Sequence, residues 1–131
     1  MTALDKLCSD YTMGVRISGK RIDANPNMQD SAHMDHWKVT LRRKGKRLTT
    51  IFSMGRGHGG AAPTPAAVIS CLISDSAAVD QSFDSWCADL GADPDSRRAL
   101  ATFKACQRNG RKLVQFLGDD LQAFIDAAAD Y

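Results

Sequence analysis

Trp37-Lys38-Val39-Thr40-Leu41-Arg42-Arg43-Lys44-Gly45-Lys46-Arg47-Leu48-Thr49-Thr50-Ile51-Phe52-Ser53-Met54 is the stretch that decides the fold. Trp37, Val39 and Leu41 alternate with Lys38, Thr40 and Arg42; beyond the turn Arg43-Lys44-Gly45-Lys46, Leu48, Thr50, Phe52 and Met54 alternate with Arg47, Thr49, Ile51 and Ser53. A period of two is the signature of a strand, and two such runs around a glycine turn form an antiparallel hairpin. One face is large and apolar and must pack on something, so Trp37, Val39, Leu41, Leu48, Thr50 and Phe52 are expected to face the helices. The other face and the tip are basic.

Toward the N-terminus, Met13, Val15 and Ile17 alternate with Gly14, Arg16 and Ser18, and Ile22 continues the run past a kink at Gly19-Lys20. This strand completes a three-stranded antiparallel sheet. Ahead of it, Leu4, Leu7, Cys8 and Tyr11 stand at helical spacing behind Thr2, a capping hydroxyl. Asn25-Pro26-Asn27 and the residues to His33 carry turn chemistry and read as an exposed loop.

Toward the C-terminus, the run Gly55-Arg56-Gly57-His58-Gly59-Gly60 breaks the strand. Thr64-Pro65 then starts a helix, with a capping hydroxyl ahead of a proline at the first helical position; it runs to about Ser76 with Val68, Cys71, Leu72 and Asp75 on one stripe. A short helix over about Ser82–Leu90 buries Phe83, Trp86 and Cys87 and ends at Gly91. Asp93-Pro94 predicts a third start, for a helix reaching Leu117 with Leu100, Phe103, Cys106, Gly110, Leu113 and Leu117 on one face. Gly118 stops it, and Asp119 is expected to cap a last helix whose apolar side is Leu121, Phe124, Ile125 and Ala128. Strands first and helices after give an α+β class: a three-stranded antiparallel sheet in the N-terminal half, packed on about four C-terminal helices. One domain is expected over residues 1–131, with a basic β-rich part to about 60 and an acidic helical part from about 64.

Composition agrees. At 131 residues the chain can bury roughly two-thirds of its unfolded surface, and 44% hydrophobic with 24% charged residues is ordinary for a globular protein. No apolar stretch is long enough to span a bilayer, and no secretion signal leads the chain, so a cytoplasmic setting with reduced thiols is expected. Charge is divided: residues 1–60 hold 11 Lys/Arg against 5 Asp, residues 61–131 hold 6 against 10, and there is no Glu. Such asymmetry marks either an anionic partner or two halves that neutralise one another.

Little in the sequence spells out catalysis. Cys8, Cys71, Cys87 and Cys106 form no C-x-x-C pair and read as buried hydrophobes. His33, His36 and His58 have no nucleophile in a recognisable elbow beside them, and Asp93 with Asp95 is explained by capping. The glycine run lacks the Gly-Lys-Ser/Thr ending of a phosphate loop and misses the G-x-G-x-x-G register. No catalytic residue, metal or cofactor is therefore expected. The strongest functional feature is the basic hairpin. Between Trp37 and Arg56 there are seven Lys/Arg and no acid. Lys38, Arg42, Arg43, Lys44, Lys46, Arg47, Arg56 and His58 are the candidate contacts to a partner, rewarded by counterion release if that partner is nucleic acid. The alternative is a solvated edge guarded against aggregation by its cations.

Asn25-Pro26-Asn27-Met28, Asp35-His36-Trp37-Lys38-Val39-Thr40-Leu41 and Phe52-Ser53-Met54-Gly55 resemble a family of small phage and prophage proteins. The similarity continues through Gly57-His58, Pro63-Thr64, Cys71-Leu72, Ser82-Phe83, Trp86-Cys87 and Asp95-Ser96-Arg97. The resemblance implies a genomic setting and carries no catalytic residue. By analogy with small phage proteins that bind host machinery, it implies a non-enzymatic inhibitor of a bacterial immune complex, of the anti-CRISPR type, working sterically in the host cytoplasm on a CRISPR-Cas protein complex. The alternative is a small DNA- or RNA-binding protein using the basic hairpin. A hydrolase or transferase acting on a nucleotide signal through the glycine loop is the third class.

Overall fold

The computed structural model describes residues 2–17, 34–55 and 63–131. Its centre is the hairpin: β2 (Met34–Arg43) and β3 (Lys46–Gly55) run antiparallel with Arg43 opposite Lys46. Only Lys44 and Gly45 lie between them, both with positive φ, at 49° and 78°. Two left-handed residues make the turn whose twist matches that of the strands it joins. Glycine adopts that conformation freely, and Lys44 carries the strain. β1 (Thr12–Ile17) pairs antiparallel with β2, giving the order β1-β2-β3 and leaving β3 at one edge.

The expected strand phase holds. Val39, Leu41, Leu48 and Thr50 are buried, and Trp37 is half-buried against the same core. The Trp37 indole N–H is enclosed without an acceptor among the described residues. The hairpin is longer than predicted, opening at Met34 and closing at Gly55. The side chain of Phe52 lies outside the described residues, as do Ile22, the loop through His33, Arg56 and His58.

Helices cover the apolar face. α1 (Ala3–Leu7) starts in a capping box, with Thr2 Oγ1 accepting from the Asp5 amide and Asp5 accepting from the Thr2 amide. α2 (Pro65–Ser76) begins on the Thr64 hydroxyl with Pro65 first in the helix, as read from the sequence. A 3-10 turn, Ala77–Asp80, follows. α3 (Phe83–Leu90) starts on Ser82 and ends at Gly91, which is left-handed. The main core joins α1, the sheet, α2, the second half of α4 (Arg97–Leu117) and α5 (Leu121–Ala128); a second cluster gathers Trp86, Cys87, Phe103 and Cys106. In that cluster Phe83 is only half-buried, with its ring 5.4 Å from that of Phe103. The two clusters meet along α4, where a Cβ at Gly110 would stand 2.7 Å from Ser76 Cα, so the α2–α4 approach requires glycine.

Three expectations need correction. α4 starts at Arg97 and not at Asp93-Pro94. Asp93 Oδ1 accepts from the Asp95 amide, its carbonyl accepts from Ser96, and Ser96 Oγ then caps Ala99, so Pro94 belongs to a turn ahead of the helix. Leu100 is exposed. The buried stripe steps back through Leu117, Leu113, Gly110, Cys106 and Phe103, and a period of 3.6 carries it to Ala99 rather than Leu100. Asp119 does not cap α5. Gly118–Asp120 form a 3-10 turn, Asp120 occupies the cap position without a side-chain cap bond, and its carboxylate is drawn away to Arg43.

Candidate anion-binding face

Strand alternation divides the hairpin's cations into two sets. Arg43 and Lys46 follow Leu41 and Leu48 on the helix-facing side; Lys38, Arg42 and Arg47 share the outer face with Thr40, Thr49 and Ile51. From β1 the register adds Thr12, Gly14 and Arg16 to that outer face. Lys44 sits exposed at the turn.

On the helix-facing side, Arg43 is compensated. Arg43 Nε lies 3.0 Å from Asp10 Oδ2 and Nη1 lies 2.6 Å from Asp120 Oδ2. Nη1 also reaches the Tyr11 hydroxyl at 3.5 Å, and the guanidinium stands 5.2 Å from the centre of the Tyr11 ring. The bonds to Asp120 and then Asp10 hold Arg43 protonated even more firmly than usual, while burial raises the Tyr11 hydroxyl against the opposing effect of Arg43. Lys46 places its ammonium by Gly118, 3.4 Å from where a Cβ would stand, at the C-terminal end of α4 where the helix dipole favours a cation. Arg43, expected to be a free contact on an exposed turn, is instead a tie between the hairpin, the residues ahead of β1 and the start of α5.

Among the described residues, the outer face is not compensated. Arg16 stands directly opposite Lys38, and Arg42 directly opposite Arg47. No acid occupies an outer-face position among Thr12, Gly14, Arg16, Lys38, Thr40, Arg42, Arg47, Thr49 and Ile51. Arg16, Arg42 and Arg47 are exposed, and Lys38 is half-buried. Between the two like-charge pairs, the Thr40 and Thr49 hydroxyls lie 3.2 Å apart. Gly14 opens the surface beside them, since only the Arg42 Nη1 would come near a Cβ there, at 3.9 Å. The face is a hydroxyl-centred surface bordered by four cations. Arg16 is a member that reading along the chain missed. Its place among the polar residues of β1 was visible, but its pairing with Lys38 depends on the β1–β2 register. Arg56 and His58 lie outside the described residues.

Other chemistry is enclosed. Thr50 Oγ1 donates to Asn109 Oδ1 at 3.2 Å, Asn109 Nδ2 donates to Asp75 Oδ2 at 3.5 Å, and Cys106 Sγ donates to Asp75 Oδ1 at 3.6 Å. Burial pushes the Asp75 carboxyl up to about 7 despite these donors. The chain of groups fastens the sheet to α4 and α2 and offers no open site. Cys8 and Cys87 carry free, buried thiols; Cys106 is buried as well, and Cys71 is half-buried. Burial raises the thiols of Cys8, to about 11, and of Cys87. Among the described residues no three His, Cys, Asp or Glu side chains gather as metal ligands. No helix among the described residues is long and apolar enough to cross a membrane.

No family model, curated protein or solved structure matches the chain.

Proposed function

We propose that the chain is a non-enzymatic protein that binds nucleic-acid backbone across the outer face of its sheet. The observation that carries this reading is the doubled like-charge register, Arg16 opposite Lys38 and Arg42 opposite Arg47. Like charges directly across a strand pair oppose folding, and on the helix-facing side the chain supplies Asp10 and Asp120 to relieve Arg43. On the outer side no described residue is an acid, and phosphates are the counter-charges that complete the face. The Thr40 and Thr49 hydroxyls add hydrogen-bonding capacity for phosphate or sugar oxygens, contacts that position without reading sequence. The phage setting that the resemblance implies gives the binding a purpose: steric obstruction of a bacterial immune complex of CRISPR type through its nucleic acid. A second reading has the same face dock on an acidic protein surface of that complex. It is favoured by the projecting position of Lys44, Arg42 and Arg47 at the hairpin end, where steering of a charged protein partner acts first.

Fluorescence anisotropy with labelled duplex DNA and single-stranded RNA over a salt series tests the proposal. Neutralising about four phosphates predicts a log–log slope of roughly −3.6 on duplex DNA. Arg42→Glu with Arg47→Glu should remove two of those contacts and flatten the slope by about 1.8. No retention of either nucleic acid at low salt, with an acidic host protein captured instead, favours the second reading. Equal binding by the wild type and the double variant excludes the face altogether.

A further inference from the structure

We propose that the edge of β3, which no other described strand pairs, accepts an extended acidic segment of a partner protein as a fourth strand. The two-residue turn makes Arg43 and Lys46 a hydrogen-bonded pair, so Leu48 and Thr50 bond back to β2, while Arg47, Thr49 and Ile51 point their N–H and C=O groups away from it. Two contacts agree with this phase. The Thr40 and Thr49 side chains approach within 3.2 Å, as residues in a non-hydrogen-bonded pair do, and the Thr49 carbonyl accepts from Lys112 Nζ at 3.4 Å across the open edge. A row of outward backbone donors and acceptors is a template for another strand.

Beside this edge runs an open groove of about 480 Å³ between β3 and α4, lined in part by Lys46, Arg47, Thr49, Lys112 and Phe116. Its charged side chains are three cations, with no acid in the lining. Phe116, buried in the main core, gives it an apolar floor. Strand addition derives affinity from main-chain bonds and specificity from alternate side chains. Here those side chains meet cations on a surface without acids, which selects carboxylates. Lys112 is the gate. Its ammonium holds the Thr49 carbonyl in the free protein; an incoming N–H takes that acceptor, and Lys112, being exposed, turns to a carboxylate of the arriving segment. The edge and groove are distinct from the Arg16–Lys38 end of the outer face, so this inference does not rest on nucleic-acid binding.

The probe is a fluorescein-labelled eight-residue peptide of alternating aspartate and valine, titrated into the full chain with amide hydrogen exchange read in parallel. The expected result is saturable binding with new protection at the Thr49 and Ile51 amides. Thr49→Pro deletes an edge N–H that β2 does not use, a place where an edge strand tolerates proline. It should weaken binding about tenfold, as should Lys112→Glu, while Arg16→Glu leaves peptide binding unchanged. Should Thr49→Pro fail to fold, Lys112→Glu and the amide protection decide alone. No binding at millimolar peptide, binding without protection at Thr49 and Ile51, or binding unaffected by Lys112→Glu would each overturn the proposal. Peptide binding lost equally in Arg16→Glu would also overturn it and return the peptide to the general basic face.

Discussion

Arg42 and Arg43 are neighbours in the chain and opposites in the fold. Arg43 follows Leu41 onto the helix-facing side, where Asp10, Asp120 and the Tyr11 ring meet it. Arg42 follows Thr40 onto the open side, where it faces Arg47. One step along a strand therefore separates a cation that ties distant segments together from one left free for a partner. The difference teaches that counting basic residues along a hairpin overstates its working surface. Of the six described candidates, Arg43 is engaged within the molecule, and Lys38, Arg42, Lys44, Lys46 and Arg47 remain available. Arg16, from another strand, joins the available set.

Asp75 is the extreme case of an internal charge without a cation facing it, and it gives the largest expected effect. Its carboxyl rises from an ordinary 3.8 to about 7 in the folded protein because it is buried. For an acid this sign means that folding opposes ionisation. No penalty exists below pH 3.8; it grows as the unfolded chain ionises first, and it is constant once the pH exceeds 7. Stability should therefore fall by on the order of 4 kcal/mol across that window. Urea unfolding from pH 4 to pH 8 measures it, and Asp75→Asn should remove most of the slope. A slope unchanged in the variant would place the titration elsewhere.

Next in size is the compensated cation. Arg43→Ala should lower the unfolding temperature, because it leaves Asp10 and Asp120 without their partner and releases the ring of Tyr11, which packs edge-on against Phe116 at 5.7 Å. Asp10→Asn and Asp120→Asn should each do less, since either leaves the other bridge in place. Their joint effect should fall short of the sum of the two, because both act through one guanidinium. Calorimetry of the four variants checks this. If Arg43→Ala melts with the wild type, the two sides of the hairpin are not different in kind.

Much of this contrast was legible in the sequence. The alternation around Lys44-Gly45 gave the hairpin, its phase and hence the side on which each cation stands, and Thr64-Pro65 and Ser82 gave two helix starts. Arg43 shares its parity with Leu41, so its side was readable, but its partners were not. Asp10 and Asp120 stand 33 and 77 residues away, and no local period reports a contact at that range. The same distance hid Arg16 as a neighbour of Lys38. Asp93-Pro94 misled because aspartate before proline starts a turn as readily as a helix, and Ser96 competed for the cap with a hydroxyl correctly placed for Ala99. Asp75 was visible on the apolar stripe of α2, while its donors Asn109 and Cys106 come from another helix.

The smallest effect is the most discriminating. If Arg42 faces Arg47 for the sake of a partner, the pair opposes folding in the free protein, and changing one member to an acid should stabilise the chain. Arg42→Glu converts a like-charge cross-strand pair into an opposite-charge one, worth about 0.2–1 kcal/mol in favour of the fold. The positions are non-hydrogen-bonded neighbours, where side chains stand closest, so the change in sign is felt directly. The same variant should bind duplex DNA more weakly, with a salt slope flatter by about 0.9 for the lost contact. Arg43→Glu tests the opposite side: it reverses a compensated charge and should destabilise the fold. A gain in stability coupled to a loss of binding is the signature of a residue kept for function against the interest of the fold. If Arg42→Glu is less stable than the wild type at low and at high salt, the outer pair is compensated after all. The division between the two faces would then be one of packing alone.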